Sequence, residues 1–91
     1  MTADITISQH ALERMRQRGF SLADVYLALD RGIELYAQNS LYYFLGRRHL
    51  ADLGNLRESL EGLTLVFDPK SLTLLTCFRN RRFLKKIRHK K

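Results

Sequence analysis

Cysteine is nearly absent from the sequence, and long apolar runs are missing altogether. Cys77 is the single cysteine and the three histidines are dispersed, so the chain can form no internal disulfide and offers no zinc-ligand spacing. No segment approaches the roughly 18 consecutive apolar residues of a membrane span, and the polar opening MTADITISQH lacks the layout of a secretion signal. We therefore expect a cytoplasmic protein that requires no metal, no cofactor and no membrane.

Acidic residues are missing from the C-terminal end, where the positive charge is concentrated. The chain of 91 residues carries 16 lysines and arginines, 9 acidic residues and a net charge of +7. The last segment, RNRRFLKKIRHKK, holds eight of the basic side chains and no acidic one. The length allows a single domain, since a chain of this size buries roughly 60 to 65% of its unfolded surface. We expect a folded body over residues 1–78, a basic tail over residues 79–91 and an anionic partner.

Two short helices are predicted at the start of the chain. The Ser8 hydroxyl can accept hydrogen bonds from the backbone of a first turn, and Gly19 is a natural helix stop because it adopts left-handed backbone angles easily. Ser21 and Asp24 form a capping-box pattern, apolar residues follow at helical spacing, and Gly32 closes the run. The predicted helices are Gln9–Arg18 and Leu22–Arg31.

After the second helix the apolar pattern changes to the alternation that is typical of strands. The first predicted hairpin runs from Ile33 to Gly46 around a polar turn. The second runs from Leu63 to Phe78 around the sequence DPK, where Pro69 suits the second position of a turn. Residues 47–62 between them fit either a long loop or a poor helix.

These elements predict an α+β domain with two N-terminal helices followed by a four-stranded antiparallel sheet made of two hairpins. Both helices are expected on one face of the sheet. The other face stays partly open, and the sequence does not assign it, because both sides of the last strand carry apolar residues. The basic tail is predicted to remain a tail or to form a short helix, in which Phe83, Leu84 and Ile87 would share one face.

The first predicted helix carries one histidine and two arginines on a single stripe. At 100° per residue, His10, Arg14 and Arg18 lie at about 0°, 40° and 80° around the helix. Imidazole changes its protonation near neutral pH and can move a proton, whereas guanidinium groups hold phosphate oxygens as negative charge builds on them. This set suits metal-independent cleavage of an RNA phosphodiester by its own 2′-hydroxyl. A solvated helix face that only aids solubility is an equally open interpretation.

The basic tail predicts binding more than catalysis. Arg81, Arg82, Lys85 and Lys86, together with Arg18 on the first helix, could contact several phosphates, and such binding weakens steeply with salt. Phenylalanines interleaved with these cations would allow base stacking. A tail that only aids solubility and a surface for an acidic protein partner are the open alternatives.

Three residues outside the first helix are further candidates for the site. Thr76 and Arg79, near the end of the last strand, could face the stripe on the first helix, although a structural role is equally open for each. His49 is flanked by Arg47 and Arg48. It could supply a second proton-transfer group or be a surface loop residue.

Two stretches of the chain resemble a known family. ISQHALERMRQRGFSLADVYLAL, residues 7–29, resembles the opening signature of a group of short bacterial proteins of unknown function, with a pattern close to S-x-H-A-x-x-R-M-x-x-R-G-[IF]-S-x-x-D-V. The last strand, LTLLTCFRNRR, resembles the ending of the same group, hydrophobic-x-T-[VC]-[YF]-R. That group is similar to RelE/ParE-like toxins and to the wider barnase, EndoU and colicin-type ribonucleases. Their shared fold is helices followed by an antiparallel four-stranded sheet.

The resemblance implies a function and a set of site residues. His10, Arg14 and Arg18 fall on polar positions of the motif, and Thr76 and Arg79 fall at the end of the strand that lines the sites of such nucleases. We expect a toxin-like, metal-independent endoribonuclease in which His10 is the general base or acid, Arg14 and Arg79 hold phosphate, and Thr76 orients the substrate. The expected partners are RNA, including RNA on ribosomes, and an acidic antitoxin protein. A non-catalytic RNA-binding or protein-interaction module of the same fold is the alternative.

Overall fold

A computed structural model describes residues 5–54 and 60–79. The predicted tail contacts at Arg81, Arg82, Lys85 and Lys86, and the predicted tail helix, lie outside the described residues. The described elements, in chain order, are β1 (Thr6–Ile7), α1 (Gln9–Arg18), α2 (Leu22–Arg31), β2 (Ile33–Ala37), β3 (Ser40–Phe44), a 3-10 helix (Arg47–Leu53), β4 (Leu63–Asp68) and β5 (Thr73–Arg79).

Both helices begin and end where the sequence predicts, and the capping groups explain why. Ser8 has extended backbone angles and its hydroxyl oxygen accepts from the Ala11 amide at 3.0 Å, while Gly19 ends α1 at a φ of 76°. At the start of α2, the Ser21 amide donates to the Asp24 carboxylate at 2.9 Å and the Asp24 amide donates to the Ser21 hydroxyl at 3.2 Å. Both ends of this capping box satisfy backbone donors that a first helical turn leaves unpaired.

Both predicted hairpins are present in the structure. The β2–β3 turn consists of Gln38 and Asn39, whose φ values of 54° and 62° are those of a type I′ turn. The β4–β5 loop closes when the Leu72 amide donates to the Asp68 carbonyl at 2.8 Å, and the Asp68 carboxylate accepts from the Lys70 amide. Residues 47–62, predicted as a loop or a poor helix, include the 3-10 helix.

The expectation of four purely antiparallel strands needs correction, because the sheet is mixed and has five strands. The additional strand β1 pairs in parallel with β5, giving the order β1-β5-β4-β3-β2. Its register aligns Thr6 with Thr73 and Ile7 with Leu74. A two-residue strand is too short to produce an alternating sequence pattern. It forms because the chain entering α1 lies beside β5, where the Ser8 amide continues the pairing by donating to the Leu74 carbonyl at 3.1 Å.

The sheet separates two apolar clusters. Both helices pack on one face, α1 over β5 and α2 over β3 and β4. This helix-side core contains the buried residues Ala11, Met15, Phe20, Val25, Ala28, Leu45, Leu50, Leu60, Leu63, Leu65, Phe67, Leu74 and Cys77. A smaller cluster of Tyr42, Phe44 and Val66 lies on the opposite face, which we name the far face. No helix in the described part of the chain is both long enough and apolar enough to cross a membrane.

Candidate functional site

Helix α1 lies along β5, and its N-cap residue is bonded to that strand. The Ser8 amide donates to the Leu74 carbonyl at 3.1 Å, and the Ser8 hydroxyl donates to the Leu75 carbonyl at 3.2 Å. Ala11 and Met15 are buried against the sheet. The helix therefore begins beside Leu74 and Leu75 and presents its polar stripe along the rim of the helix-side core.

His10 and Arg14 contact each other one turn apart on α1. The Arg14 Nε group points at the His10 Nε2 atom over 3.5 Å, which is long for a hydrogen bond and makes the contact a weak one. His10 is exposed and Arg14 is partly buried. The pair places a ring nitrogen that can accept a proton next to a guanidinium group.

The charges of Arg14 and Arg18 influence the buried thiol of Cys77 on β5. Cys77 is only 1% exposed, and burial raises the pKa of its thiol. The positive charges of Arg18 and Arg14 act on that pKa in the opposite direction. Burial is the larger effect, so the thiol is protonated at neutral pH and is a packed core residue.

Arg79 lies at the other end of α1. Its guanidinium carbon is 5.4 Å from the centroid of the Phe20 ring, a cation–π distance. Phe20 follows the Gly19 helix stop, and its amide donates to the Met15 carbonyl at 2.9 Å. The end of α1 and the end of β5 are therefore joined by this aromatic contact. Sequence reasoning missed Phe20, although an apolar residue after a glycine stop commonly packs back onto its helix.

Four side chains form what we name the basic strip: His10, Arg14, Arg18 and Arg79. Arg18 follows His10 by eight positions, a distance of about 12 Å along the helix axis. His10 is two residues after Ser8, which is bonded to the first half of β5, whereas Arg79 is the last residue of that strand. The structure thus brings these predicted site residues to one side of the molecule in a row, and it does not gather His10 and Arg79 around one point.

Thr76 lies on the far face of the sheet and is not part of the basic strip. It pairs with Val66, which belongs to the far-face cluster, whereas Cys77 pairs with Leu65 of the helix-side core. Directly opposite residues of neighbouring strands share a face. Thr76 and Arg79 are three residues apart, so strand alternation already predicts opposite faces for them.

His49 is also outside the basic strip. Its Nδ1 atom accepts from the Gly46 amide at 2.7 Å, and its carbonyl accepts from the Arg31 guanidinium at 3.4 Å. Partial burial, and secondarily the charge of Arg48, lowers the pKa of His49. Arg31 also forms a two-bond ion pair with Asp52, which attaches the 3-10 helix to the end of α2. His49 therefore holds a connecting segment in place.

The described residues contain no group of three or more histidine, cysteine, aspartate or glutamate side chains that could hold a metal ion. Among the described residues of α1 and β5, most of the candidate functional side chains are grouped in the basic strip. The arrangement can bind a row of anionic groups, and at the His10–Arg14 end it can also accept a proton.

The fold and the strip define an α+β protein with two helices on one face of a mixed sheet and cationic side chains along one edge. The chain belongs to the family described as Domain of unknown function (DUF4258), whose model matches residues 7–82. This range includes every residue of the basic strip. No curated protein and no solved structure matches the chain.

Proposed function

We propose that the protein is a small, toxin-like endoribonuclease that binds RNA phosphates along the basic strip and cleaves at its His10–Arg14 end without a metal ion. The contact between Arg14 Nε and His10 Nε2 carries this proposal. It sets a proton acceptor beside a group whose terminal nitrogens can donate to phosphate oxygens. The α1 sequence resembles the opening motif of a group of short bacterial proteins that is similar to RelE/ParE-like toxins, and this resemblance supports the same class.

His10 and Arg14 have different roles in the proposed reaction. His10 removes the proton of a ribose 2′-hydroxyl, the 2′-oxygen forms a bond to phosphorus, and the bond from phosphorus to the 5′-oxygen breaks. The protonated ring, or water, returns a proton to the leaving 5′-oxygen. Arg14 stabilises the negative charge that builds on the phosphate oxygens. No role is proposed for Thr76, because it lies on the far face.

The other cations would hold the RNA beyond the cleaved bond. Arg18 and Arg79 lie farther along the strip and suit neighbouring phosphates. In the tail, Arg81, Arg82, Lys85 and Lys86 would bind further phosphates. The same charge pattern favours two partners. One is RNA on ribosomes, as the substrate, and the other is an acidic antitoxin that covers these cations.

The test is RNA cleavage by purified protein, with and without ribosomes, in the presence of a metal chelator. We expect the wild-type chain to cut RNA, and His10→Ala and Arg14→Ala to cut it much more slowly. Arg16→Ala is the matched control, since it removes an equal charge from an exposed position of the same helix outside the strip. Cleavage that survives in His10→Ala, or its absence from the wild-type chain on both substrates, would refute the nuclease proposal.

RNA binding without cleavage is the second candidate. It is favoured by the spread of the strip, in which His10 is the single histidine and Arg79 contacts Phe20 beyond the opposite end of α1. For this candidate the salt dependence of RNA affinity is the decisive measurement. Changing both Lys85 and Lys86 to Gln should flatten the slope by about one unit for each phosphate that the variant no longer binds. A slope that stays the same would exclude the tail from RNA binding.

A further inference from the structure

The outer side of β2 is an open sheet edge. Strand β2 pairs with β3 on one side, and in the described part of the chain no strand pairs with its other side. Its sequence, IELYA, contains no proline, lysine or arginine, which are the residues that commonly protect an exposed edge. Its five residues are paired with β3 one for one, without a bulge. Such an edge can accept another strand.

The hairpin register fixes which backbone groups of β2 face outward. Ala37 and Ser40 flank the two-residue type I′ turn, so they form a hydrogen-bonded pair. Because hydrogen bonding alternates along an antiparallel ladder, Leu35 and Ile33 also bond to β3. The backbone N–H and carbonyl groups of Glu34 and Tyr36 therefore point away from the sheet. Both of these residues are exposed, Tyr36 by 63%.

The single charged side chain of β2 is directed away from this edge. Glu34 lies opposite Tyr43 of β3, and the Tyr43 hydroxyl donates to the Glu34 carboxylate at 3.2 Å. Burial, with the nearby Glu34 charge, raises the pKa of Tyr43, so the hydroxyl keeps its proton and remains a donor at neutral pH. This bond draws the carboxylate back over β3, which lowers its repulsion toward a strand added at the edge.

We propose that β2 is a homodimer interface in which a second copy of the chain adds its own β2 in antiparallel orientation, with the two-fold axis at Leu35. In this register, Glu34 of each copy lies opposite Tyr36 of the other. Each of these two pairs exchanges two backbone hydrogen bonds, and all outward groups of both strands are used. On the far face, Leu35 meets Leu35 of the second copy and extends the apolar surface of the far-face cluster.

The alternative registers are less favourable, which is why a second copy suits this edge. A two-fold axis at Glu34 places two carboxylates directly opposite each other, a destabilising pair. An axis at Tyr36 places Glu34 opposite Gln38, whose φ of 54° removes it from extended geometry and ends the ladder. The axis at Leu35 avoids both problems. A dimer with this axis also leaves the basic strip accessible, since β5 lies near the opposite edge of the sheet from β2.

Disulfide trapping tests the register directly. In a Cys77→Ala background, Leu35→Cys should form a covalent dimer on mild oxidation, because directly opposite residues without shared hydrogen bonds have Cα atoms about 4.5 Å apart, within disulfide reach. Ile33→Cys and Ala37→Cys are the matched controls on the same face of the same strand. Each should form no covalent dimer alone, and the two should cross-link when mixed. Equal cross-linking at every position, or none at Leu35→Cys, would overturn the proposal.

Sedimentation of the untrapped protein supplies the second measurement. The wild-type chain should show a concentration-dependent shift from monomer to dimer. Tyr36→Pro should abolish that shift while preserving the β2–β3 ladder, because it removes an N–H group that points outward and prolines are tolerated at such edge positions. A wild-type chain that stays monomeric at high concentration, or a folded Tyr36→Pro variant that still dimerises, would contradict the interface.

Discussion

The two edges of the sheet are built differently. At one edge, β5 is covered by β1, by two hydrogen bonds from Ser8 and by the start of α1. Strand β5 also contains a bulge, because Val66 pairs with Thr76 while Phe67 pairs with Leu74, leaving Leu75 unpaired. At the other edge, β2 is regular, and no strand or bulge protects it among the described residues.

This difference separates two kinds of surface on one small molecule. The protected β5 edge carries the cationic side chains, and cations beside a bulged, helix-covered strand discourage pairing with another strand while attracting anions. The open β2 edge holds a single charge, already bonded to Tyr43, and suits backbone pairing. Substitutions at one edge should therefore leave the behaviour of the other unchanged.

Removing a core side chain at the protected edge should have the largest effect on stability. Leu74 is fully buried, and Leu74→Ala should lower the free energy of unfolding by about 2 to 5 kcal/mol through reduced burial and a residual cavity. Leu35→Ala, on the partly buried β2, is the comparison and should cost about 1 kcal/mol. Urea denaturation of both variants measures the difference. Equal losses would show that the two edges contribute alike to the core.

Removing a strip cation should have the largest effect on the proposed RNA cleavage. Arg14→Ala should slow RNA cleavage about 100- to 1000-fold, equivalent to roughly 2.7 to 4 kcal/mol, because the variant has no positioned donor to the phosphate at this place. Tyr36→Pro at the other edge should leave the rate per chain unchanged. The measurement is cleavage of one RNA by both variants under conditions where each is folded. If Tyr36→Pro slows cleavage as much as Arg14→Ala does, the two edges do not act separately.

Most of the fold could be predicted from the sequence because its signals are local. The capping residues Ser8 and Ser21 and the stop at Gly19 define both helices, and alternation with turn residues defines both hairpins. Strand β1 could not be predicted, since two residues give no periodicity and its pairing depends on β5, more than sixty residues along the chain. Strand β1 forms only through its tertiary pairing with β5.

The site was less predictable than the fold because its residues come from separate elements. Helical spacing correctly predicted that His10 and Arg14 share a face of α1, and they are in contact. It could not show that Arg79 would stack on Phe20 at the far end of the helix, since that depends on how α1 lies along β5. The face on which Thr76 lies could have been predicted, because strand alternation places it opposite to the face of Arg79.

Loss of the Ser8 hydroxyl should weaken the protected edge more than an equivalent change weakens α2. Ser8→Ala removes both the N-cap of α1 and the bond to the Leu75 carbonyl, so we expect a loss near the upper end of the range of about 0.5 to 2 kcal/mol. Ser21→Ala is the matched control, as it removes an N-cap of α2 whose hydroxyl bonds within its own helix turn. Thermal unfolding of the pair provides the measurement. A larger loss in Ser21→Ala would mean that the Leu75 bond adds nothing.

The smallest expected effect is a pH dependence at the segment that follows β3. The pKa of His49 is lowered by burial, and its Nδ1 atom accepts from the Gly46 amide only while the ring is neutral. A depressed pKa in the folded state means that the unfolded chain binds the proton more readily. The stability that the neutral His49 ring contributes is therefore complete above the ordinary histidine pKa of 6.5. It is lost as the pH falls through the lowered value.

The variant His49→Asn separates this titration from that of other groups. The asparagine side-chain oxygen can accept the same amide bond and does not titrate, so the variant should lose less stability than the wild-type chain between pH 7 and the acid range. Urea midpoints measured across that range provide the comparison. Parallel pH profiles for the two proteins would show that the bond to Gly46 is not coupled to folding, and that the 3-10 helix is held by the Arg31–Asp52 ion pair instead. A profile that flattens only in His49→Asn would assign the acid sensitivity to one hydrogen bond on the β3 side of the sheet, away from the basic strip.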